Sequence, residues 1–101
     1  MAFVRVARLP ELAAESVIEV SVGEDQYALC NTGGEITALS GVCLHAGGPV
    51  GQGRVREGYV VCPWHLWGFD CRTGVSDFDP GRKLATYPVK LEGGDILIDL
   101  P

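Results

Sequence analysis

Apolar and polar positions alternate with period two along several stretches of this chain, as they do in strands that bury one face. The stretches are Phe3–Ala7 (FVRVA), Val17–Val22 (VIEVSV), Gln26–Cys30 (QYALC) and Glu35–Ser40 (EITALS). Between them, Gly23–Asp25 (GED) and Asn31–Gly34 (NTGG) read as hairpin connections. Near the end, LATYPVKLE and DILIDL flank Gly93-Gly94, a third hairpin signal. Tyr59–Cys62 (YVVC) predicts a shorter strand, and Gly68–Gly74 (GFDCRTG) begins another that ends in a turn. Only Leu9–Ser16 (LPELAAES) has helical composition, and it is too short for more than one turn. The pattern predicts one all-β domain of antiparallel sheets over residues 1–101. Two irregular segments interrupt it, from Gly41 to about Gly53 and from Pro63 to about Gly68.

Composition narrows the class. With 101 residues, 47% apolar and 21% charged, the chain can bury a packed core as a single domain. Its 14 glycines and 6 prolines suit many turns between short strands. No apolar run is long enough to cross a bilayer, and the start MAFVRVARLP lacks the apolar core of a signal peptide. The expected location is the cytoplasm, where four cysteines are metal ligands or buried thiols more often than disulfides. A net charge of −5 excludes a basic stripe for nucleic acid. Mild acidity suits a partner with a basic patch, or it only keeps the chain soluble.

The irregular segments hold the chemistry. Cys43-x-His45 is followed by sixteen residues and then by Cys62-x-x-His65, and these are the only two histidines in the chain. Each local pair can reach one small inorganic object from a single loop, and the gap lets the two loops come from different strands. Three readings follow. The residues are ordinary buried thiols and incidental histidines; they hold structural zinc; or they hold a [2Fe–2S] centre in which two histidines replace two cysteines on one iron. Zinc fingers order their ligands Cys-Cys then His-His and follow them with a helix, which this pattern does not predict.

CLHAGG and CPWHLWGFD resemble the two cluster-binding loops of Rieske [2Fe–2S] proteins, here at about 41–53 and 62–71. The closing stretch DPGRKLATYPVKLEGGDILIDL resembles the end of the same family, where a proline-bearing loop (here Asp79-Pro80-Gly81) covers the cluster. The resemblance implies a Rieske-type fold, with Cys43 and Cys62 holding one iron as thiolates. His45 and His65 would hold the other through ring nitrogens. Gly47, Gly48, Gly51 and Gly53 would let backbone amides approach the sulfurs. The family usually has glycine after the second histidine; Leu66 stands there, and Gly68 is expected to supply the flexibility instead.

Function follows from that resemblance. Two ferric ions, two sulfides, two thiolates and two neutral imidazoles sum to zero charge, so one added electron makes the cluster anionic. The potential should fall as pH rises through the titration of the histidines. High-potential relatives carry an interloop disulfide where this chain has Gly48 and Trp64, and hydroxyl donors where it has Trp67 and Phe69. The expected potential is therefore low, roughly −150 mV rather than +300 mV. Trp64 and Trp67 read as a cover over the cluster, as a docking surface, or as one of each. Cys30 and Cys71 read as small buried hydrophobes, with a disulfide between them as the alternative. The chain is expected to be a non-catalytic electron carrier between a flavin-dependent NAD(P)H reductase and a terminal oxygenase. No histidine remains for the mononuclear iron of an oxygenase. The small subunit of a multicomponent reductase, such as assimilatory nitrite reductase, and a zinc-stabilised interaction module are the rival functions.

Overall fold

In the computed structural model, residues 2–43, 47–64 and 66–100 are described. Ten strands form three antiparallel sheets among them. In chain order they are β1 (Ala2–Arg8), β2 (Ser16–Val22), β3 (Asp25–Thr32), β4 (Glu35–Ser40) and β5 (Arg54–Arg56), followed by β6 (Tyr59–Val61), β7 (Gly68–Asp70), β8 (Thr86–Tyr87), β9 (Val89–Glu92) and β10 (Asp95–Leu100). The sheets run β1-β10-β9, β2-β3-β4-β8 and β5-β6-β7. LPELAAES supplies one turn of 3₁₀-helix, Leu9–Glu11, whose Glu11 carboxylate accepts the Arg8 amide at 2.7 Å.

The four-stranded sheet lies between two cores, and its central strand shows why. Along β3, Ala28 and Cys30 belong to a cluster with Leu39, Val50, Val60, Phe69 and Leu84. The alternate residues Tyr27 and Leu29 belong to a second cluster with Ala38, Ile96 and Ile98. Tyr27 to Cys30 is thus a continuous buried run, the signature of a strand covered on both faces. The half-buried strand expected there is corrected: β5-β6-β7 covers one face and β1-β10-β9 the other. Tyr27 and Tyr87 meet edge to face at 5.2 Å, fixing β8 against β3 within the second core.

The hairpin turns fall at Gly23-Glu24, Gly33-Gly34 and Gly93-Gly94, close to where the sequence placed them. LATYPVKLE, expected as one strand, splits into β8 on β4 and β9 on β10, and the β5–β6 hairpin was not anticipated. Arg54–Arg56 pairs with Tyr59–Val61 through a turn at Glu57-Gly58, so the first irregular segment ends in a strand. That small hairpin creates the third sheet, and the third sheet carries the candidate site.

Candidate metal centre

Each irregular segment is a loop that begins at a cysteine and is closed by that residue's own amide. The first leaves β4 at Gly41, whose amide donates to the Gln26 carbonyl at 2.9 Å. The Cys43 amide donates to the Gly48 carbonyl at 2.8 Å, and the Gly47 amide returns to the Cys43 carbonyl at 2.9 Å. A bridge between Val42 and Pro49 closes the base. The second loop leaves β6 at Cys62, whose amide donates to the Trp67 carbonyl at 2.8 Å. Residues 44–46 and 65 lie outside the described residues, and with them the predicted ligands His45 and His65.

The two loops bring Cys43 and Cys62 together. Both are buried, free and part of the same core, and the Cys43 thiol lies near enough to act on the Cys62 thiol. Burial pushes the Cys62 thiol up; the Trp64 amide, donating to its sulfur, works against this, and the Cys43 thiol adds to the rise. Without iron the Cys62 thiol therefore tends to keep its proton, and a metal must displace it on binding. A Cβ on Gly48 would lie 2.9 Å from the Cys62 sulfur and 2.8 Å from the Trp64 ring, so the meeting point of the loops admits no side chain there. Two adjacent buried sulfurs with space kept clear beside them fit a thiolate pair on one iron.

The other glycines serve the scaffold. A Cβ on Gly51 would strike Glu19 of β2, and one on Gly53 would strike the Val61 carbonyl of β6. The Gly53 amide is already bonded to the Val50 carbonyl at 3.0 Å. Of the four loop glycines, only Gly48 would place a Cβ against the sulfur of a candidate ligand among the described residues. Leu66 is a second correction. It takes φ +59° itself, the left-handed backbone that a glycine would adopt without strain, while Gly68 is an ordinary residue of β7.

A third loop, 76–82, was read only as a cover, and it turns out to pin the second. The Asp77 carboxylate accepts the Gly68 amide at 3.0 Å and the Asp77 amide returns to the Gly68 carbonyl at 2.9 Å. Buried Ser76 folds this loop by accepting the amides of Phe78 and Asp79 at 3.1 and 3.2 Å. Phe78 then stacks on Trp67, with ring centroids 4.9 Å apart. The signal available in the sequence was the turn-rich Ser76-Asp77-Phe78-Asp79-Pro80-Gly81. Asp77→Ala is expected to lower stability by about 1–2 kcal/mol, read from denaturant melts, because the Gly68 amide loses its charged acceptor.

Cys30 and Cys71 form a separate pair, both fully buried and free. The hydrogen bond from Cys30 to the Cys71 sulfur, together with burial, pushes the Cys30 thiol up, and the same bond holds Cys71 down. They are the packed thiols that the sequence suggested and not a disulfide. Trp64 points outward at 51% exposure, while Trp67 packs against the core beside Phe69. One indole is packed and the other is exposed to solvent.

Paired buried sulfurs on two facing loops of a small all-β domain fit an iron–sulfur protein. Comparison with known proteins makes the class specific. The family model described as the Rieske [2Fe-2S] domain matches residues 2–88. The ferredoxin component of biphenyl 2,3-dioxygenase from Rhodococcus jostii (strain RHA1) is 34% identical over 101 residues, covering 99% of this chain and 94% of the relative. Among solved structures, the Sphingomonas yanoikuyae B1 ferredoxin superposes with a TM-score of 0.89 at 25% identity, covering 99% of this chain and all of that one. The ferredoxin of carbazole 1,9a-dioxygenase from Nocardioides aromaticivorans IC177 gives 0.85 at 28% identity, with 97% of each chain covered. The chain belongs to the Rieske [2Fe–2S] family, and its cofactor is the [2Fe–2S] cluster. It is an electron carrier of the ferredoxin type and not a catalytic subunit. Among the described residues, no helix is long and apolar enough to cross a membrane.

Proposed function

We infer that Cys43, His45, Cys62 and His65 hold the cluster, thiolates on one iron and ring nitrogens on the other, and that the protein carries single electrons to a terminal oxygenase. The observation that supports this is the convergence of the Cys43 and Cys62 thiols from two separately closed loops. A bound cluster would supply one-electron storage. The chain's own residues supply the rest. The core around Phe69 and Trp67 excludes water from the sulfur side, and the Trp64 amide donates to the Cys62 sulfur. The electron source is a flavin-dependent NAD(P)H reductase, and the setting is the cytoplasm, where buried thiols stay free. The curated relative is the ferredoxin of a dioxygenase, which favours this role over the small subunit of a nitrite reductase.

The potential tests the role. Phe69 is fully buried, and neither it nor Trp67 offers a hydroxyl to the cluster. Fewer donors leave a reduced, anionic cluster less stabilised, so the midpoint should lie near the lower end of the Rieske range, roughly −150 mV. Redox titration of anaerobically purified protein measures it. A midpoint near the upper end, about +300 mV, would mark an oxidant of quinols and sink the proposed role.

A further inference from the structure

The two loops are closed by the same kind of bond, but on different peptides. The Cys43 amide donates to the Gly48 carbonyl and the Cys62 amide to the Trp67 carbonyl, each at 2.8 Å. Both cysteine amides are thereby committed to the loop backbone. The accepting peptides differ at their other end. The peptide that begins at Gly48 ends on Pro49, which has no N–H. The peptide that begins at Trp67 ends on Gly68, whose N–H donates to the Asp77 carboxylate at 3.0 Å. A single planar unit, Trp67–Gly68, thus links a full negative charge to the amide of a candidate ligand.

The contact is built for close approach. The Asp77 amide returns to the Gly68 carbonyl at 2.9 Å, so one residue holds both polar groups of Gly68. A Cβ at position 68 would lie 2.7 Å from the second Asp77 carboxylate oxygen, so any other residue there would push the carboxylate away. Asp77 is in no ion pair among the described residues, whereas Asp79, two positions on, pairs with Arg82 at 3.3 Å. Hydrogen bonds in series polarise one another, and a charged acceptor strengthens the series most. Drawn by the carboxylate, the Gly68 hydrogen makes the Trp67 oxygen a better acceptor. That holds the Cys62 amide more firmly in the loop, where it gives nothing to the cluster. Fewer donors at sulfur and a nearby negative charge both disfavour the added electron.

We propose that Asp77 is a positioning residue for electron transfer: through the Trp67–Gly68 peptide it acts on Cys62 and holds the midpoint potential of the cluster down. It does so from outside both cluster-binding loops, on the third loop, and it adds to the effect of the missing hydroxyl donors. A lower potential makes the reduced protein the stronger donor. This rests on the cluster assignment and carrier role proposed above, which the same experiment examines separately.

Redox titration of the holo-protein tests this, with iron content and the electron paramagnetic resonance spectrum measured on the same samples. Asp77→Asn keeps an oxygen for the Gly68 amide and removes the charge. It should raise electron affinity about threefold, a one-electron midpoint shift of about 30 mV upward, with iron and spectrum unchanged. Gly68→Ala displaces the carboxylate without altering any charge, and should move the midpoint in the same direction. Asp77→Glu retains the charge and should restore most of the wild-type value. Asp79→Asn removes a charge from the same loop but not from this peptide, and should shift the midpoint less than half as far as Asp77→Asn. Wild-type midpoints in both Asp77→Asn and Gly68→Ala at full iron overturn the proposal. So does an equal rise in Asp79→Asn, which would mark a general field of the loop. The wild-type sample reads the underlying assignments by itself. Absence of iron there removes the cluster assignment, and a midpoint at the upper end of the Rieske range removes the carrier role, whatever the variants do.

Discussion

Cys43→Ser and Cys62→Ser are each expected to give protein without the red-brown colour, with iron falling from about two per chain to near zero. Both sulfurs are buried within one core on facing loops, so loss of either leaves a single thiolate where iron needs a pair. Cys30→Ser and Cys71→Ser provide the contrast. Their thiols belong to the same core but pair with one another, and both variants should keep iron while losing some stability to a buried hydroxyl. Iron assay and electron paramagnetic resonance of the reduced protein separate the two outcomes. Full iron in Cys62→Ser would remove the assignment. His45→Ser and His65→Ser, read in the same way, test the nitrogen ligands.

Gly53→Ala should be the most damaging single methyl group in the chain. Its Cβ would meet the Val61 carbonyl carbon at 2.9 Å, with the carbonyl oxygen nearer still. Val61 cannot step aside cheaply, because it pairs with Arg54 on one side and Gly68 on the other. Protein interiors are close-packed, and a backbone clash has no rotamer through which to relax. A loss of about 3 kcal/mol or more is expected in denaturant melts. Displacing Val61 also moves its neighbour Cys62, so iron retention should fall along with stability. Gly51→Ala also meets a strand, at the Cα and Cβ of Glu19 at 2.7 Å, and should destabilise as well.

Much of the domain was legible from pattern. Period two is read residue by residue, and two-residue glycine turns are fixed by local backbone freedom, so β1 to β4 and the closing hairpin appear in the sequence. The β5–β6 hairpin did not, because Arg54-Val55-Arg56 is too short to show a period and Glu57-Gly58 is a weak turn signal. The double burial of β3 was missed for another reason. Two cores formed by sheets distant in sequence decide it, and nothing within Gln26–Cys30 says how many sheets will cover it.

The site divides along the same line. Ligand chemistry is a matter of residue type, order and spacing, so Cys43-x-His45 and Cys62-x-x-His65 pointed to two nitrogen and two sulfur donors without any coordinates. Which glycine stands beside sulfur, which indole faces water, and which cysteines pair with which are set by contacts between loops up to tens of residues apart. Packing alone brought Gly48 against Cys62, tied Gly68 to Asp77 and left Leu66 strained at the surface. Chain order carries donor identity because each donor is a single side chain; tertiary structure carries their surroundings because close approach depends on segments that the chain order separates.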